Sequence, residues 1–225
     1  MNGTPKFTAF TAPRGGAQYL RNGRAVLMPK RLFDLLGASL ALLLLWPLML
    51  AIAAAIKLDS RGPVLFRQQR VGRHGVLFRI HKFRSMVADA PLRGPALTVG
   101  ADARITRVGH WLRRTRLDEL PQLVDVLAGH MSLVGPRPEV PMYVAHYPAA
   151  LRERALSVRP GITDPSSLLY LHESEQLARA ADPEREYIEV ILPRKLQCAA
   201  DYAAKANLRS DVVVLLRTLK LLIAG

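Results

Sequence analysis

Residues 35–56 have the sequence LLGASLALLLLWPLMLAIAAAI, which is 22 residues long and contains no charged side chain. As a straight helix with a rise of about 1.5 Å per residue, this segment would be about 33 Å long, enough to cross the hydrocarbon core of a bilayer. A cleaved signal peptide would start earlier, be shorter and end in small residues before a polar region. We therefore expect a membrane-embedded helix, with a buried core helix as the alternative.

The charges that flank this segment do not choose an orientation in the membrane. Lys30 and Arg31 precede it, and Lys57 and Arg61 follow it, so the positive-inside rule applies equally to both ends. Pro47 removes a helical hydrogen bond near the middle and predicts a bend. Two arrangements fit: a re-entrant hairpin that returns to the same face, and a single kinked span with the N-terminal arm outside.

The whole chain of 225 residues is long enough for one domain with a sizeable core, and its apolar content of 50% excludes an intrinsically disordered chain. The formal net charge is +14 and is unevenly placed, with thirteen cations against two acids in residues 61–116. This basic front half predicts an anionic partner: nucleic acid, a phospholipid surface or a phosphorylated substrate. The single cysteine, Cys198, excludes an internal disulfide and a cysteine-rich metal site.

We expect an α/β chain, mainly α-helical with a small β element, that forms a membrane-associated globular domain with amphipathic surface helices. Short strands are predicted at residues 64–66 and 75–81. A last helix at 212–223 either lies along the bilayer or packs on the domain. The expected organisation is a flexible basic arm at 1–29, a re-entrant membrane helix at 30–58 and a catalytic domain at 59–225.

Asp118 and Glu119 are the leading candidates for chemistry. Pro121 follows closely and is tolerated in a first helical turn, so both carboxylates are predicted to lie at a helix start. An ionised carboxylate there is a competent nucleophile or metal ligand, or else a plain N-terminal cap. Arg113 and two more arginines lie just upstream, and guanidinium groups suit phosphate oxygens.

Other cations are placed where they could serve the same site. Lys82 and Arg84 follow a predicted strand, Gln69 lies a short distance earlier, and Arg137 stands between two prolines that fix its direction. Cations usually belong to a solvated surface. Together with a carboxylate pair and a membrane segment, however, they point to a phosphoanhydride substrate handled at the bilayer. Asp34, at the mouth of the apolar segment, is expected to pair with a nearby cation such as Arg31.

Six motifs over residues 29–222 resemble those of the bacterial sugar transferases, the monotopic polyprenyl-phosphate phosphoglycosyl transferases, in their small, catalytic-domain form. In order, they are KRLFDLLGASLALLLLWPLML, GPVLFRQQRVG, HKFRSM, LDELPQL, MSLVGPRPEV and VRPGITDPSSL. The resemblance implies transfer of a sugar 1-phosphate from a UDP-sugar to undecaprenyl phosphate with release of UMP, the first membrane step of exopolysaccharide or glycoconjugate synthesis.

The resemblance also implies roles for individual residues. Asp118 would attack the sugar-proximal phosphorus and form a covalent phosphosugar intermediate, and Glu119 would help to hold Mg²⁺. The remaining assignments are substrate phosphate binding by Lys82, Arg84, Arg113 and Arg137, further candidate site positions at Asp211 and Gln69, and the break in the re-entrant membrane helix at Pro47.

The implied location is the cytoplasmic face of the bacterial inner membrane. Implied partners are the UDP-sugar donor, the undecaprenyl phosphate acceptor, membrane phospholipids and, further, a second copy of the chain or downstream glycosyltransferases. Asp125 and His130 stand where the family often has asparagine and aspartate. These two differences cast doubt on local hydrogen bonds more than on the activity.

Three alternatives stay open at this point. A membrane-anchored basic nucleic-acid-binding protein is disfavoured by the aromatic content of 6% and by the lack of a binding motif. A non-catalytic scaffold of a polysaccharide assembly complex would not need the carboxylate pair. A hydrolase of the same substrates differs only in its acceptor.

Overall fold

The computed structural model describes residues 17–95, 97–166 and 173–224. Within these ranges the chain is mainly helical, and its β structure consists of two sheets of two strands each. This agrees with the expected helical chain with a small β element. The helices are α1 Ala17–Asp59, α2 Ala90–Arg93, α3 Arg107–Arg114, α4 Gln122–Leu127, α5 Pro141–Val144, α6 Ala149–Ala155, α7 Glu173–Ala178, α8 Pro183–Glu186, α9 Leu192–Lys205 and α10 Leu208–Ala224. The strands are β1 Leu65–Val71, β2 Leu77–Phe83, β3 Ser132–Val134 and β4 Gly161–Thr163.

Helix α1 contains the predicted apolar segment and includes Pro47. Its part Pro29–Asp59 is long and apolar enough to cross a membrane by length and composition. The helix begins at Ala17, so residues 17–29 of the predicted flexible arm are helical, while residues 1–16 lie outside the described part of the chain.

One stripe of α1 is buried against the rest of the chain on both sides of Pro47. Ala38, before the proline, packs in a cluster with Val126 and Leu133. Ile56, after the proline, packs with Phe83 in a second cluster. The two halves of α1 therefore contact the same folded body.

The opposite face of α1 is apolar and uncovered. Leu36, Leu43 and Trp46 are 62%, 69% and 55% exposed. A contiguous apolar surface of this kind needs a partner other than water. Lipid is the partner that its length and composition suit.

Strands β1 and β2 form an antiparallel hairpin whose register runs from Leu65 opposite Phe83 to Val71 opposite Leu77. A 3₁₀ turn, Arg73–Gly75, connects them. Both strands are displaced from the predicted segments, because cross-strand pairing continues through polar residues 67–70 that lack an apolar alternation. Lys82, the last residue but one of β2, is fixed in position by this hairpin.

A buried polar cluster joins α1 to β3. The Asp34 carboxylate accepts hydrogen bonds from Ser132 Oγ (3.0 Å) and from the Leu133 amide (3.1 Å). Asp34 was expected to pair with a nearby cation such as Arg31. The nearby cation whose charge acts on Asp34 is Lys30, while Arg31 donates to two carbonyls at the C-terminal end of α4. Such carbonyls have no partner within their own helix, so they attract the guanidinium.

Strands β3 and β4 pair in parallel, and the backbones of Gly135 and Gly161 touch beside them. A Cβ atom on Gly161 would collide with the backbone nitrogen and carbonyl oxygen of Gly135. Glycine at both positions lets the chain after β3 lie directly on the chain before β4. This contact positions the segment that contains Arg137.

Replacing Gly161 with alanine is expected to destabilise the protein by about 1–3 kcal/mol, because the new methyl group forces two backbones apart. Thermal unfolding in detergent measures the loss. Gly94→Ala is the matched control, since its Cβ would meet the far end of the Arg104 side chain, at 3.1 Å, and no backbone atom. Equal melting temperatures for Gly161→Ala and wild type would contradict the close contact.

Candidate active site

Asp118 and Glu119 lie on a single 3₁₀ turn, Leu117–Glu119, just ahead of α4. Arg116, which precedes the turn, adopts a left-handed conformation with φ of 58°. Few non-glycine residues adopt this conformation, and it is held here by the surrounding structure. Both carboxylate residues are buried, at 7% and 6% exposed.

Glu119 is bound by two cations. Its carboxylate accepts two hydrogen bonds from Arg137, at 2.5 Å and 3.2 Å, and one from Lys82 Nζ at 2.7 Å. Burial by itself would raise the pKa of Glu119, but the charges of Arg137 and Lys82 hold that pKa well below its ordinary value. Glu119 is thus an ionised, fully paired carboxylate.

Asp118 is much less constrained. Its ion pair with Lys82 has a separation of 3.8 Å, and the structure shows no hydrogen bond to its carboxylate from the described side chains or backbone. Burial raises the pKa of Asp118, the charge of Glu119 adds to this, and Lys82 opposes it. Asp118 is therefore the member of the pair whose oxygen atoms are available for reaction.

Arg113 adds a third cation on the side of Asp118. It projects from the last turn of α3, and its guanidinium donates to Ser85 Oγ (2.9 Å) and Thr98 Oγ1 (3.2 Å). Burial lowers the pKa of Arg113, and the charge of Asp118 partly offsets this. Because its described hydrogen-bond partners are neutral hydroxyl groups, Arg113 keeps a full positive charge available for an anionic ligand.

The segment that carries Arg137 is fixed on both sides. Arg70 donates to the carbonyl of Pro138 (3.1 Å), and the Gly161 amide donates to the carbonyl of Pro136 (2.9 Å). Beside Arg137 lies a small open cleft, lined in part by Asp164 and by aromatic and cationic side chains. Arg137 therefore lies between Glu119 and this cleft.

The structure brings Asp118, Glu119, Lys82, Arg113 and Arg137 together. The three cations lie beside two carboxylates, and arginine and lysine side chains are the groups that bind phosphate oxygens in proteins. Sequence reasoning placed all five in one site.

Arg84 and Gln69 lie elsewhere. Arg84 donates to the carbonyls of Ser60 (2.8 Å) and Arg61 (2.5 Å), so it stabilises the chain that follows α1. Gln69 is exposed on β1 and pairs across the hairpin with Arg79, on the opposite face from Lys82. Phosphate binding by Arg84 and a site role for Gln69 remain predictions.

Asp211 is fully buried between the start of α1 and β3. It forms an ion pair with Lys30 and accepts a hydrogen bond from the Tyr202 hydroxyl at 2.7 Å. Lys30 also donates to the carbonyl of Val134 (3.1 Å), so the cluster ties α1 and α10 to β3. These contacts give Asp211 a structural role that does not need substrate.

Asp211→Ala is expected to cost about 3 kcal/mol of stability, because Lys30 then keeps its charge without a buried partner. Thermal unfolding measures this, and turnover at low temperature should be retained. The double variant Lys30→Met/Asp211→Leu removes both charges and should recover most of the loss. An unchanged melting temperature together with abolished turnover would instead show that Asp211 takes part in the reaction.

Asp125 and His130, which depart from the family pattern, have clear local partners. Asp125 is buried, and its carboxylate accepts a hydrogen bond from the His81 amide. The other carboxylate oxygen lies 2.8 Å from His81 Nδ1. His130 stacks on Phe78 with 5.7 Å between ring centroids. The contact from Asp125 fixes the backbone of β2 one residue before Lys82. Sequence reasoning missed this pairing, because only the fold brings α4 to β2.

The donor chemistry of the dyad fits a magnesium ion only in part. No cluster of three or more histidine, cysteine, aspartate or glutamate ligands occurs in the described ranges. Magnesium is commonly held by one or two carboxylates together with substrate phosphate oxygens and water. Asp118 and Glu119 can supply those carboxylates, provided that the substrate supplies the phosphate oxygens.

Comparison with known proteins gives one family. Its model, described as bacterial sugar transferase, matches residues 25–225. A UDP-N-acetylgalactosamine-undecaprenyl-phosphate N-acetylgalactosaminephosphotransferase of Aeromonas hydrophila is 38% identical over 198 residues, which cover 87% of this chain and 44% of the relative.

Several relatives, among them the two that follow, are named UDP-glucose:undecaprenyl-phosphate glucose-1-phosphate transferase. The protein of Escherichia coli K12 is 41% identical over 72% of this chain and 34% of its own length. The protein of Caulobacter vibrioides is 38% identical over 86% of this chain and 69% of its own length. The alignments to the first curated relatives span 27%, 44% and 56% of those proteins, so this chain corresponds to about half of them or less.

Proposed function

Because this chain belongs to the bacterial sugar transferase family, we propose that it transfers a sugar 1-phosphate from a UDP-sugar to undecaprenyl phosphate and releases UMP. The observation that carries the proposal is the buried pair Asp118–Glu119 facing Lys82, Arg113 and Arg137. The relatives' names give glucose in some cases and N-acetylgalactosamine in another, so the proposal extends to the class of UDP-hexoses.

In the proposed reaction, an oxygen of Asp118 attacks the sugar-proximal phosphorus of the donor. The bond from that phosphorus to the bridging oxygen breaks, and UMP leaves with the electron pair. A phosphate oxygen of the lipid then attacks the same phosphorus and releases Asp118 as a carboxylate. The availability of Asp118, in contrast to the fully paired Glu119, supports this assignment.

Cations of the site stabilise the charge that develops on the departing phosphate. Arg113 lies on the Asp118 side, while Lys82 contacts both carboxylates. Because these groups are already positioned and partly shielded from water, their effect on developing charge is larger than in solution.

A donor supplied without a lipid acceptor should give a burst of at most about one equivalent of UMP per enzyme, because the proposed first step needs no acceptor. The measurement uses a panel of UDP-hexoses with purified enzyme and Mg²⁺, with and without undecaprenyl phosphate. Sustained release is expected only with the acceptor, and Asp118→Asn should show neither phase.

Three outcomes would contradict this proposal. UMP release that requires the acceptor even in the first turnover would favour direct transfer between the two substrates. Near-normal turnover by Asp118→Asn would show that Asp118 is not the nucleophile. Continuous release without any acceptor would identify a hydrolase.

We also propose a magnesium ion at this site, held by Glu119 together with donor phosphate oxygens. When bound, it supplies neutralisation of the diphosphate charge. Lys82 and Arg137 then orient Glu119, since both contact its carboxylate in the structure.

Removal of divalent cations with EDTA is expected to abolish UMP release, and added Mg²⁺ should restore it. Glu119→Gln should lower turnover by at least about 100-fold, because it removes a carboxylate that both the metal and the cations need. Glu153→Gln, at an exposed position on α6, is the matched control. An unchanged rate in EDTA would overturn the metal proposal.

For the membrane segment, we propose the re-entrant hairpin with the catalytic domain on the cytoplasmic face of the inner membrane. Ala38 and Ile56 lie on opposite sides of Pro47, and both pack on the folded body. If α1 crossed the membrane between these two residues, the folded body that both of them contact would lie in the hydrocarbon core. The exposed apolar face of α1 supports lipid contact from one side instead.

Single cysteines at Gly23 and Ser60, in a Cys198→Ser background, test this topology. Both should resist a membrane-impermeant thiol reagent in intact cells and react after permeabilisation, because both ends face the cytoplasm. Pro47→Ala should increase labelling at position 23, since it removes the proline that is proposed to turn the helix back. If position 23 is labelled in intact cells while Pro47 is unchanged, α1 crosses the membrane and the hairpin is contradicted.

A further inference from the structure

Arginine side chains converge at the C-terminal end of α4, away from the carboxylate dyad. Arg31 donates to the carbonyls of Val126 (2.8 Å) and Leu127 (3.2 Å), and Arg159 donates to the carbonyl of Gly129 (2.9 Å). A Cβ atom on Gly129 would lie 3.6 Å from Arg31 Nη2. The two guanidinium groups therefore bind the chain on either side of Ala128, at the end of α4.

Arg73 joins them from the turn of the β1–β2 hairpin. Its Nε donates to the carbonyl of Ser157 (2.9 Å), two residues before Arg159, and the charge of Arg159 acts on both Arg73 and Arg31. In the described ranges none of the three forms an ion pair with a carboxylate. Three cations held close together repel each other, so a bound anion would stabilise this arrangement.

The surroundings of these arginines suit the surface of a bilayer. Arg31 immediately precedes the uncovered apolar face of α1, where Leu32 is 58% exposed. Val76 is 64% exposed in the hairpin turn, close in sequence to Arg73. Exposed apolar side chains beside cations are typical of surfaces that enter the headgroup region.

We propose that Arg31, Arg73 and Arg159 bind the phosphate group of an anionic glycerophospholipid, such as phosphatidylglycerol, at the bilayer surface. Guanidinium forks bind phosphate oxygens in a bidentate manner, and each arginine keeps N–H groups beyond those used on carbonyls. The site rests on the membrane association proposed above and is independent of the transferase reaction.

The test measures which lipids the full chain retains. Wild-type protein is extracted from bilayers of equal phosphatidylcholine and phosphatidylglycerol, and native mass spectrometry gives the ratio of the two bound lipids. Phosphatidylglycerol should predominate. Arg73→Gln/Arg159→Gln should lower the preference by about fivefold for each arginine removed. Arg179→Gln/Arg194→Gln, two exposed arginines of equal charge, should leave it unchanged.

Several results would overturn the site. Equal losses in both double variants would mean that only net charge matters. Retention of added undecaprenyl phosphate in place of phosphatidylglycerol would reassign the arginines to the acceptor, and retention of no lipid would remove the membrane contact itself. If the first double variant fails to fold by circular dichroism, Arg73→Gln alone decides, with a fivefold fall expected and no change as contradiction. Asp118→Asn should retain phosphatidylglycerol like wild type, which separates this site from the reaction.

Discussion

The ion pairs of Glu119 with Lys82 and Arg137 join three distant parts of the chain: β2, the turn before α4 and the segment after β3. A buried carboxylate is strongly unfavourable without such partners, and so are the buried parts of the two cations. Each of the three parts therefore requires the other two in place. Because the hydrogen bonds of both cations go to Glu119, Asp118, which has only a 3.8 Å ion pair with Lys82, keeps oxygen atoms available for reaction.

The position of α1 relates this site to the membrane. Its buried stripe contacts α4, which directly follows the dyad, and Phe83, which directly follows Lys82. Its opposite face is apolar and exposed. If that face lies in lipid, the dyad is held at a short distance from the headgroup region. A water-soluble donor and a lipid phosphate could then reach Asp118 from different sides of one surface.

Much of this arrangement could be predicted from the sequence, because it depends on local pattern. The uncharged run at 35–56 predicted the helix, Pro121 predicted a helical turn at the dyad, and two prolines predicted a fixed Arg137. Contacts between distant segments could not be predicted. A motif shows that Arg84 is near Lys82 in sequence, but not that its side chain turns to the carbonyls after α1. The pairing of Asp211 with Lys30 across 181 residues left no local pattern.

Covalent modification of Asp118 is the central claim, and peptide mass spectrometry tests it most directly. The enzyme is incubated with an active UDP-hexose and no acceptor, then digested under mild acid conditions. We predict one hexose-phosphate-sized mass on Asp118, lost after hydroxylamine treatment, with Glu119 unmodified. An adduct on Glu119 or another residue, or no adduct under conditions that support turnover, would contradict the account.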